Sequence, residues 1–260
     1  MKLFRSRRPV IGMVHLQPLP GSPRARALSE IRAAAIADAR ALARGGVDGI
    51  LVENYGDAPF AAGSVEPQVV AVMAVIAAEV RREAALPVGI NVLRNDARSA
   101  LAVALASGAS FIRVNVHVGA AETDQGHLDG RAFETLRYRK ALGVRIAIFA
   151  DVFVKHARPA DRVDLATAAR DTAYRGGAEV LLVTGPETGS APAAERLREV
   201  KQAVPDRPVL VASGLTPENV EGFALADGYI IGSALERGGR AGNRVELSRV
   251  RAMVRAAKRR

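Results

Sequence analysis

The ionisable and amide side chains of this 260-residue chain collect at the ends of apolar runs. His15 closes one run, Glu53 and Asn54 close a second, and Asn91, with Arg94 just beyond, closes a third. Arg113, Asn115 and His117 punctuate a fourth, and Asp151 ends a fifth, with Lys155 and His156 close behind. Carboxylates and imidazoles positioned together exchange protons near neutral pH, and a lysine among them can supply an amine or an acid. The pattern points to acid–base chemistry, with Asp151 or Glu53 as base and Lys155 and His15 as acid or oxyanion stabiliser. Asp124, inside Thr-Asp-Gln-Gly-His, joins this set through a loop over the same mouth. Asn54, Asn91, Arg94, Arg113, Asn115 and His156 are the candidate substrate contacts. Plainer roles stand beside these. His15 could bond a neighbouring loop, Arg113 could pair with Glu53, and Asn91 and Asn115 could anchor loops at the rim. Lysines beside acids are more often salt-bridged than nucleophilic, and Asp124 could simply cap a turn.

A second signal concerns anions. Residues 210–219 read LVASGLTPEN, an apolar run ending in Ser213-Gly214. A helix start follows, with Thr216 as N-cap, Pro217 in the first helical position and Glu218 in the first turn. Residues 227–233, DGYIIGS, end likewise in Gly232-Ser233. Two successive strands that end in small residues can turn their backbone N–H groups on one phosphate. Ser213, Gly214, Gly232 and Ser233 are therefore the expected phosphate site, the serines as hydrogen-bonding groups, since neither has an evident base. Residues 238–243 form a third glycine-rich element, either a lid or a lead into the last helix, with Arg237 and Arg240 close in sequence to the anion. Glu53, Asp57, Asp151 and His15 carry ligand-type atoms, but no HxH, HExxH or paired-carboxylate spacing singles them out. Neither a metal nor a cofactor is expected.

What must position these groups is legible in the periodicity. Strand-like runs occupy 10–16, 49–53, 88–92, 111–116, 144–151, 180–184, 209–212 and 228–231. Helical runs occupy 29–44, 67–84, 96–106, 130–141, 159–175, 191–203, 217–224 and 245–257. Short buried strands alternating with helices imply parallel pairing through right-handed crossovers. The count of eight and the paired glycine loops at the end favour a closed single-domain (β/α)8 barrel over an open sheet. The longest connections, 15–28, 54–66 and 117–129, follow strands and so fall on the face where such barrels place their chemistry.

Composition narrows the classes. The chain has no cysteine, which excludes disulfides, thiolate catalysis and cysteine-ligated metals. It is 49% hydrophobic yet has no apolar run of spanning length. The 1–9 segment is basic, but the apolar run behind it is too short for a secretory signal, so a cytoplasmic location is expected. The net charge is +10, and ten basic residues account for it: Lys2, Arg5, Arg7, Arg8, Arg249, Arg251, Arg255, Lys258, Arg259 and Arg260. Without them bases and acids are equal in number. Phe4 is the single aromatic among these charges, too few for a stacking platform, so no specific nucleic-acid partner is expected. Anionic membrane is the partner such termini suit, as a peripheral contact. The functional alternatives are an enzyme for a phosphorylated sugar or nucleotide-derived metabolite and a non-catalytic peripheral assembly factor. The enzyme is favoured, because polar strand ends cost stability that a scaffold has no reason to give up. Homo-oligomer formation is left open, since no apolar stripe marks a surface for it.

Several stretches taken together resemble one family. They are IGMVHLQPLPGSPR from Ile11, GVDGILVENYGDAPF from Gly46, GINVLRNDA from Gly89, TDQG from Thr123, ADVFVKHA from Ala150, and SGLTPENV followed by DGYIIGSAL. The resemblance is to the BtpA/SgcQ family and covers nearly the whole chain. It implies a (β/α)8 barrel of the ribulose-phosphate-binding type. It carries an association with photosystem I assembly at a membrane and with sugar metabolism, and no defined reaction. The residues matching the family pattern are His15, Glu53, Asn54, Asp57, Asn91, Arg94, Asn95, Asp124, Asp151, Lys155 and His156; the segment after Glu236 departs from it.

Overall fold

Short strands that turn alternate side chains to opposite faces, the last pairing with the first, build this chain. A computed structural model describes residues 3–160 and 162–259; Met1, Lys2, Asp161 and Arg260 lie outside them. In chain order the strands are β1 (Val10–His15), β2 (Gly49–Glu53), β3 (Val88–Asn91), β4 (Phe111–Val114), β5 (Ala120–Thr123), β6 (Gly126–Asp129), β7 (Ala147–Asp151), β8 (Ala157–Pro159), β9 (Val180–Val183), β10 (Val209–Val211) and β11 (Tyr229–Ile231). Eight of them, β1, β2, β3, β4, β7, β9, β10 and β11, pair in parallel, and β11 returns to β1 to complete a barrel. This is the closed (β/α)8 architecture that the sequence pattern implies.

Both faces of each barrel strand are buried, for different purposes. Outward residues such as Val14, Ile50, Val52, Ile90, Ile112 and Ile148 pack against the surrounding helices. Inward residues Ile11, Leu51, Phe111, Phe149, Leu182, Leu210 and Ile230 fill the lower interior. Phe111 stacks on Phe149 with ring centroids 4.4 Å apart, and Phe4 meets the edge of Phe111 at 5.9 Å. Gly89 makes room for this layer, since a Cβ there would lie 2.1 Å from the Phe111 ring. Phe4, on the segment leading into β1, closes the floor of the barrel.

The helices are α1 (Leu28–Gly45), α2 (Pro67–Ala84), α3 (Ala97–Ser107), α4 (Ala132–Ala141), α5 (Leu165–Arg170), α6 (Ala194–Ala203) and α7 (Leu247–Ala257). Asp96 and Asp164 cap α3 and α5 by accepting the N–H groups of Ser99 and Thr167. Left-handed glycines Gly46 and Gly108 end α1 and α3.

Three departures from the sequence pattern have local causes. The helix expected at 217–224 is only a 3-10 turn, Val220–Phe223. There the Asn219 side chain accepts the Thr216 N–H and donates to the Gly214 carbonyl, a local alternative to helical bonding. The helix expected at 159–175 shrinks to α5 and a wider π turn, Asp171–Arg175: β8 takes Pro159, and the helix starts only at Leu165, after the Asp164 cap. The connection 117–129 is a β5–β6 hairpin, and β8 joins β5 to make a three-stranded antiparallel sheet over one side of the mouth. Its inner face buries Ala121 and Leu128 against Val116 and Val154.

Candidate active site

Strand register raises a polar layer above the apolar one. His15 lies opposite Glu53, Glu53 opposite Asn91, and Asn91 opposite Arg113, so four adjacent strands bring polar side chains to one level. Period-two alternation sets this spacing, because Met13 and Leu51 point the same way two residues earlier.

His15 is held from two sides. Its Nδ1–H donates to Glu236 Oε1 at 2.6 Å, and its Nε2 faces Glu53 Oε1 at 3.6 Å. The ring also packs on Tyr55, with centroids 4.5 Å apart. A carboxylate on Nδ1 fixes the tautomer and turns Nε2 towards the cavity. Glu236 is 1% exposed and its second oxygen has no partner among the described residues. The Tyr55 phenol is held above its usual range, first by burial and then by the Glu53 and Glu236 charges.

Lys155 follows β7 across the mouth. Burial pushes its ammonium below the ordinary lysine value, with help from Arg113 and Arg94, against the pull of Glu53 and Asp151. Its backbone is pinned by the Thr184 hydroxyl at 3.1 Å and by Arg94, whose Nη2 donates to the Lys155 carbonyl at 2.8 Å. His156 is exposed, and its Nε2 accepts the Thr188 N–H at 3.1 Å. Burial, then the charges of Lys155 and Arg94, keeps it below the usual imidazole value.

Several expected contacts are occupied elsewhere. Asp151 receives Arg113 through two bonds of 2.9 Å and Asn115 Nδ2 at 3.2 Å, and its side chain is 0% exposed. With its acceptors engaged by a guanidinium and an amide, it acts as a strut rather than the free base expected from its strand-end position. The partner of Arg113 is thus Asp151, and Glu53 is left facing His15. Burial opposes the Arg113 charge, but Asp151 outweighs it and holds the group above its ordinary value. Asn91 donates to Asn115 Oδ1 at 3.0 Å and to the Arg113 carbonyl, so both asparagines belong to this buried network. Asn54 grips the Leu93 backbone and Asp57, which in turn accepts the Leu19 N–H. Burial raises the Asp57 carboxyl, and its bonds tie the β1 and β2 loops together. Asn95 brackets Val116 in the same manner, and His117 bonds Gly176 away from the mouth.

The glycine loops after β10 and β11 meet as the sequence suggests. Gly214, Gly232 and Ser233 line one annex of the mouth with His15, Glu53, Arg113 and Lys155. No acceptor among the described residues takes the amide N–H of Gly189, Gly214 or Ser233. The Ser213 hydroxyl, however, donates to the Ser190 carbonyl at 2.9 Å and accepts the Gly185 N–H at 2.7 Å, so it builds the loop instead of offering its proton to a ligand. Gly214 has a φ of +66°, and a Cβ there would sit 1.9 Å from the Ala191 nitrogen. Gly214→Ala should therefore destabilise the protein by about 1–3 kcal/mol from backbone strain alone, read as a lower urea midpoint. An unchanged midpoint would contradict this close approach.

The annex opens into a cleft of about 920 Å³, a size suited to a small metabolite. Glu53, Arg113, Lys155 and Thr188 line both, while Arg94, Asn115, Asp124 and His156 line the cleft alone. Asp124 sits at the hairpin tip, exposed. Asn54, Asn91 and Asp151 line neither. Ala241, Gly242 and Asn243 form part of the rim, whereas Arg237 and Arg240 are exposed outside both linings. Glu236, Tyr55 and Gly189 are members that sequence reasoning passed over. The only signal for Glu236 is its place three residues after Ser233. Among the described residues no group of three or more His, Asp or Glu is arranged to hold a metal ion, and no helix is long and apolar enough to cross a membrane.

Comparison with known proteins extends these observations. A family model described as the BtpA family matches residues 6–259. The Photosystem I biogenesis protein BtpA of Synechocystis sp. is 46% identical over 255 residues, covering 97% of this chain and 89% of that protein. An uncharacterized protein of Pyrococcus abyssi is 44% identical over 253 residues, covering 96% of each. Among solved structures, thiamine phosphate pyrophosphorylase from Pyrococcus furiosus superposes with a TM-score of 0.62 at 15% identity, covering 98% of this chain and 97% of that one. N-(5'-phosphoribosyl)anthranilate isomerase from the same organism gives 0.56 at 16% identity, covering 96% and 98%. At such identities the likeness is one of fold alone.

Proposed function

The chain belongs to the BtpA family, and from that premise we propose that it is an enzyme acting by acid–base chemistry on a phosphorylated small molecule. One observation carries the reading: an imidazole braced by a buried carboxylate faces a second carboxylate and a partly buried lysine, beside amide groups that lack acceptors. The phosphate would rest on the amides of Gly189, Gly214 and Ser233. That remote grip holds the reacting carbons near Glu53, His15 and Lys155. Glu53 takes a proton and passes it to the unprotonated Nε2 of His15, which returns it to the substrate, and Lys155 stabilises negative charge on oxygen or, as the free amine, condenses with a carbonyl and releases water.

The test is a thermal-shift screen of inorganic phosphate, sugar phosphates and nucleoside monophosphates against their dephosphorylated counterparts. At a hundred times its Kd a ligand stabilises by about 2.7 kcal/mol. Phosphorylated compounds should raise Tm and the counterparts should not. A flat response to every phosphorylated compound would refute the reading.

Lysine chemistry gives a check that needs no substrate. Pyridoxal 5'-phosphate carries an aldehyde and a phosphate, and borohydride fixes its imine. Lys155 should be labelled faster than the exposed Lys140, because a depressed ammonium holds more free amine, about tenfold per pKa unit. Inorganic phosphate should protect it. Equal labelling of the two lysines would count against an activated amine.

A second reading, a peripheral assembly factor, draws on the placement of charge. The segment before β1 and the end of α7 both lie at the floor of the barrel, where Lys258 bonds Asp48 at 3.0 Å, so the described basic residues at those two ends share the pole opposite the cleft, whereas Arg249, paired with Glu246 and near the Ala234 carbonyl, lies on the mouth side. It predicts salt-sensitive flotation with anionic vesicles that is lost when the terminal arginines become glutamine.

A further inference from the structure

We propose that the substrate carries a second anion, a carboxylate held by Arg94 in the cleft outside the annex that takes the phosphate. This deepens the function proposed above and rests on its phosphate site. Arg94 is 5% exposed, lines the cleft, and makes no ion pair among the described residues. Its guanidinium makes one hydrogen bond, to the Lys155 carbonyl, so its other N–H groups have no partner among the described residues. A buried cation with open donors is costly unless something completes it. The planar fork of arginine matches a carboxylate with two parallel bonds.

The charge of the lining points the same way. Besides Arg94, the cleft holds Arg24 and Arg26 on the β1 loop and Lys155, none of them ion-paired among the described residues. Arg113 is neutralised by Asp151. The acids in the lining are Glu53, engaged with His15, and Asp124 at the hairpin tip. Of these, Arg24, Arg26, Arg94 and Asp124 line the cleft and not the annex, so three unpaired cations against one acid remain for a second anion when Lys155 serves a phosphate in the annex. The annex and the outer cleft share Glu53 and Lys155, so a ligand reaching from one to the other lays its middle carbons across the proton-transferring groups.

The experiment compares matched pairs by calorimetry on the full chain: erythrose 4-phosphate with 4-phosphoerythronate, ribose 5-phosphate with 5-phosphoribonate, and glucose 6-phosphate with 6-phosphogluconate. The acid of at least one pair should bind about tenfold more tightly than its aldose. Arg94→Gln should erase that preference while leaving affinity for the aldose phosphate within a few-fold. Arg94→Lys, which keeps the charge without the fork, should retain only part of it. Aldose phosphates that bind with no preference for the acid in any pair overturn the carboxylate and leave the phosphate site standing. Tighter binding of ribulose 1,5-bisphosphate than of every acid overturns it too, in favour of a second phosphate. Failure of all phosphorylated probes overturns both proposals.

Discussion

Replacing Arg113 with methionine should destabilise the protein by about 3–5 kcal/mol, because it strands the Asp151 carboxylate inside the barrel. The pair is bidentate, with bonds of 2.9 Å, and the two side chains are 3% and 0% exposed. A lone charge at such depth has no water to solvate it, and Asn115 Nδ2 supplies only one remaining donor. Removing both charges should behave differently. Arg113→Met combined with Asp151→Leu replaces an ion pair with apolar volume, and such exchanges are often neutral. The double variant should therefore recover most of the loss in urea denaturation at constant m. A single variant that lost less than about 1 kcal/mol would mean that solvent reaches the pair.

The second large effect concerns turnover. Glu53→Gln keeps the shape of the side chain and removes its basicity, so kcat on a phosphorylated substrate found by the ligand screen should fall about 10²–10⁴-fold. That corresponds to roughly 2.7–5.5 kcal/mol of transition-state stabilisation. Ligand affinity should change only a few-fold, since the phosphate is gripped elsewhere. His15→Asn should fall in the same range. Glu236→Gln should lie between these variants and wild type, because the imidazole stays in place but loses the carboxylate bonded to Nδ1 at 2.6 Å. Full activity in Glu53→Gln would remove Glu53 from the mechanism.

The barrel was legible because its signal is local and repeated: each barrel strand is a short apolar run, helical segments separate the runs, and glycines such as Gly46 and Gly108 mark helix ends. The glycine loops after β10 and β11 were legible for the same reason, since the backbone conformation they need is encoded in place. Partner choice was not. Arg113 could be seen as a buried cation, but register hands it to Asp151 on the neighbouring strand and not to Glu53. Glu236 lies 221 residues from His15 and has the look of a solvated turn acid; only closure of the barrel makes it a partner. The β5–β6 hairpin escaped notice because four-residue strands with polar outer faces barely alternate. Thr216, Pro217 and Glu218 were sound helix-start signals, yet Asn219 redirected the backbone into a shorter turn.

Phe4 has a practical bearing on how the charged ends can be studied. It belongs to the same interior cluster as Phe111 and Phe149 and is 7% exposed, so the leader before β1 is a stopper as well as a carrier of charge. Clipping the first eight residues would uncork the cylinder while stripping away its arginines, and the two consequences could not be separated. Charge at that end is better neutralised residue by residue, with the aromatic plug left where it sits.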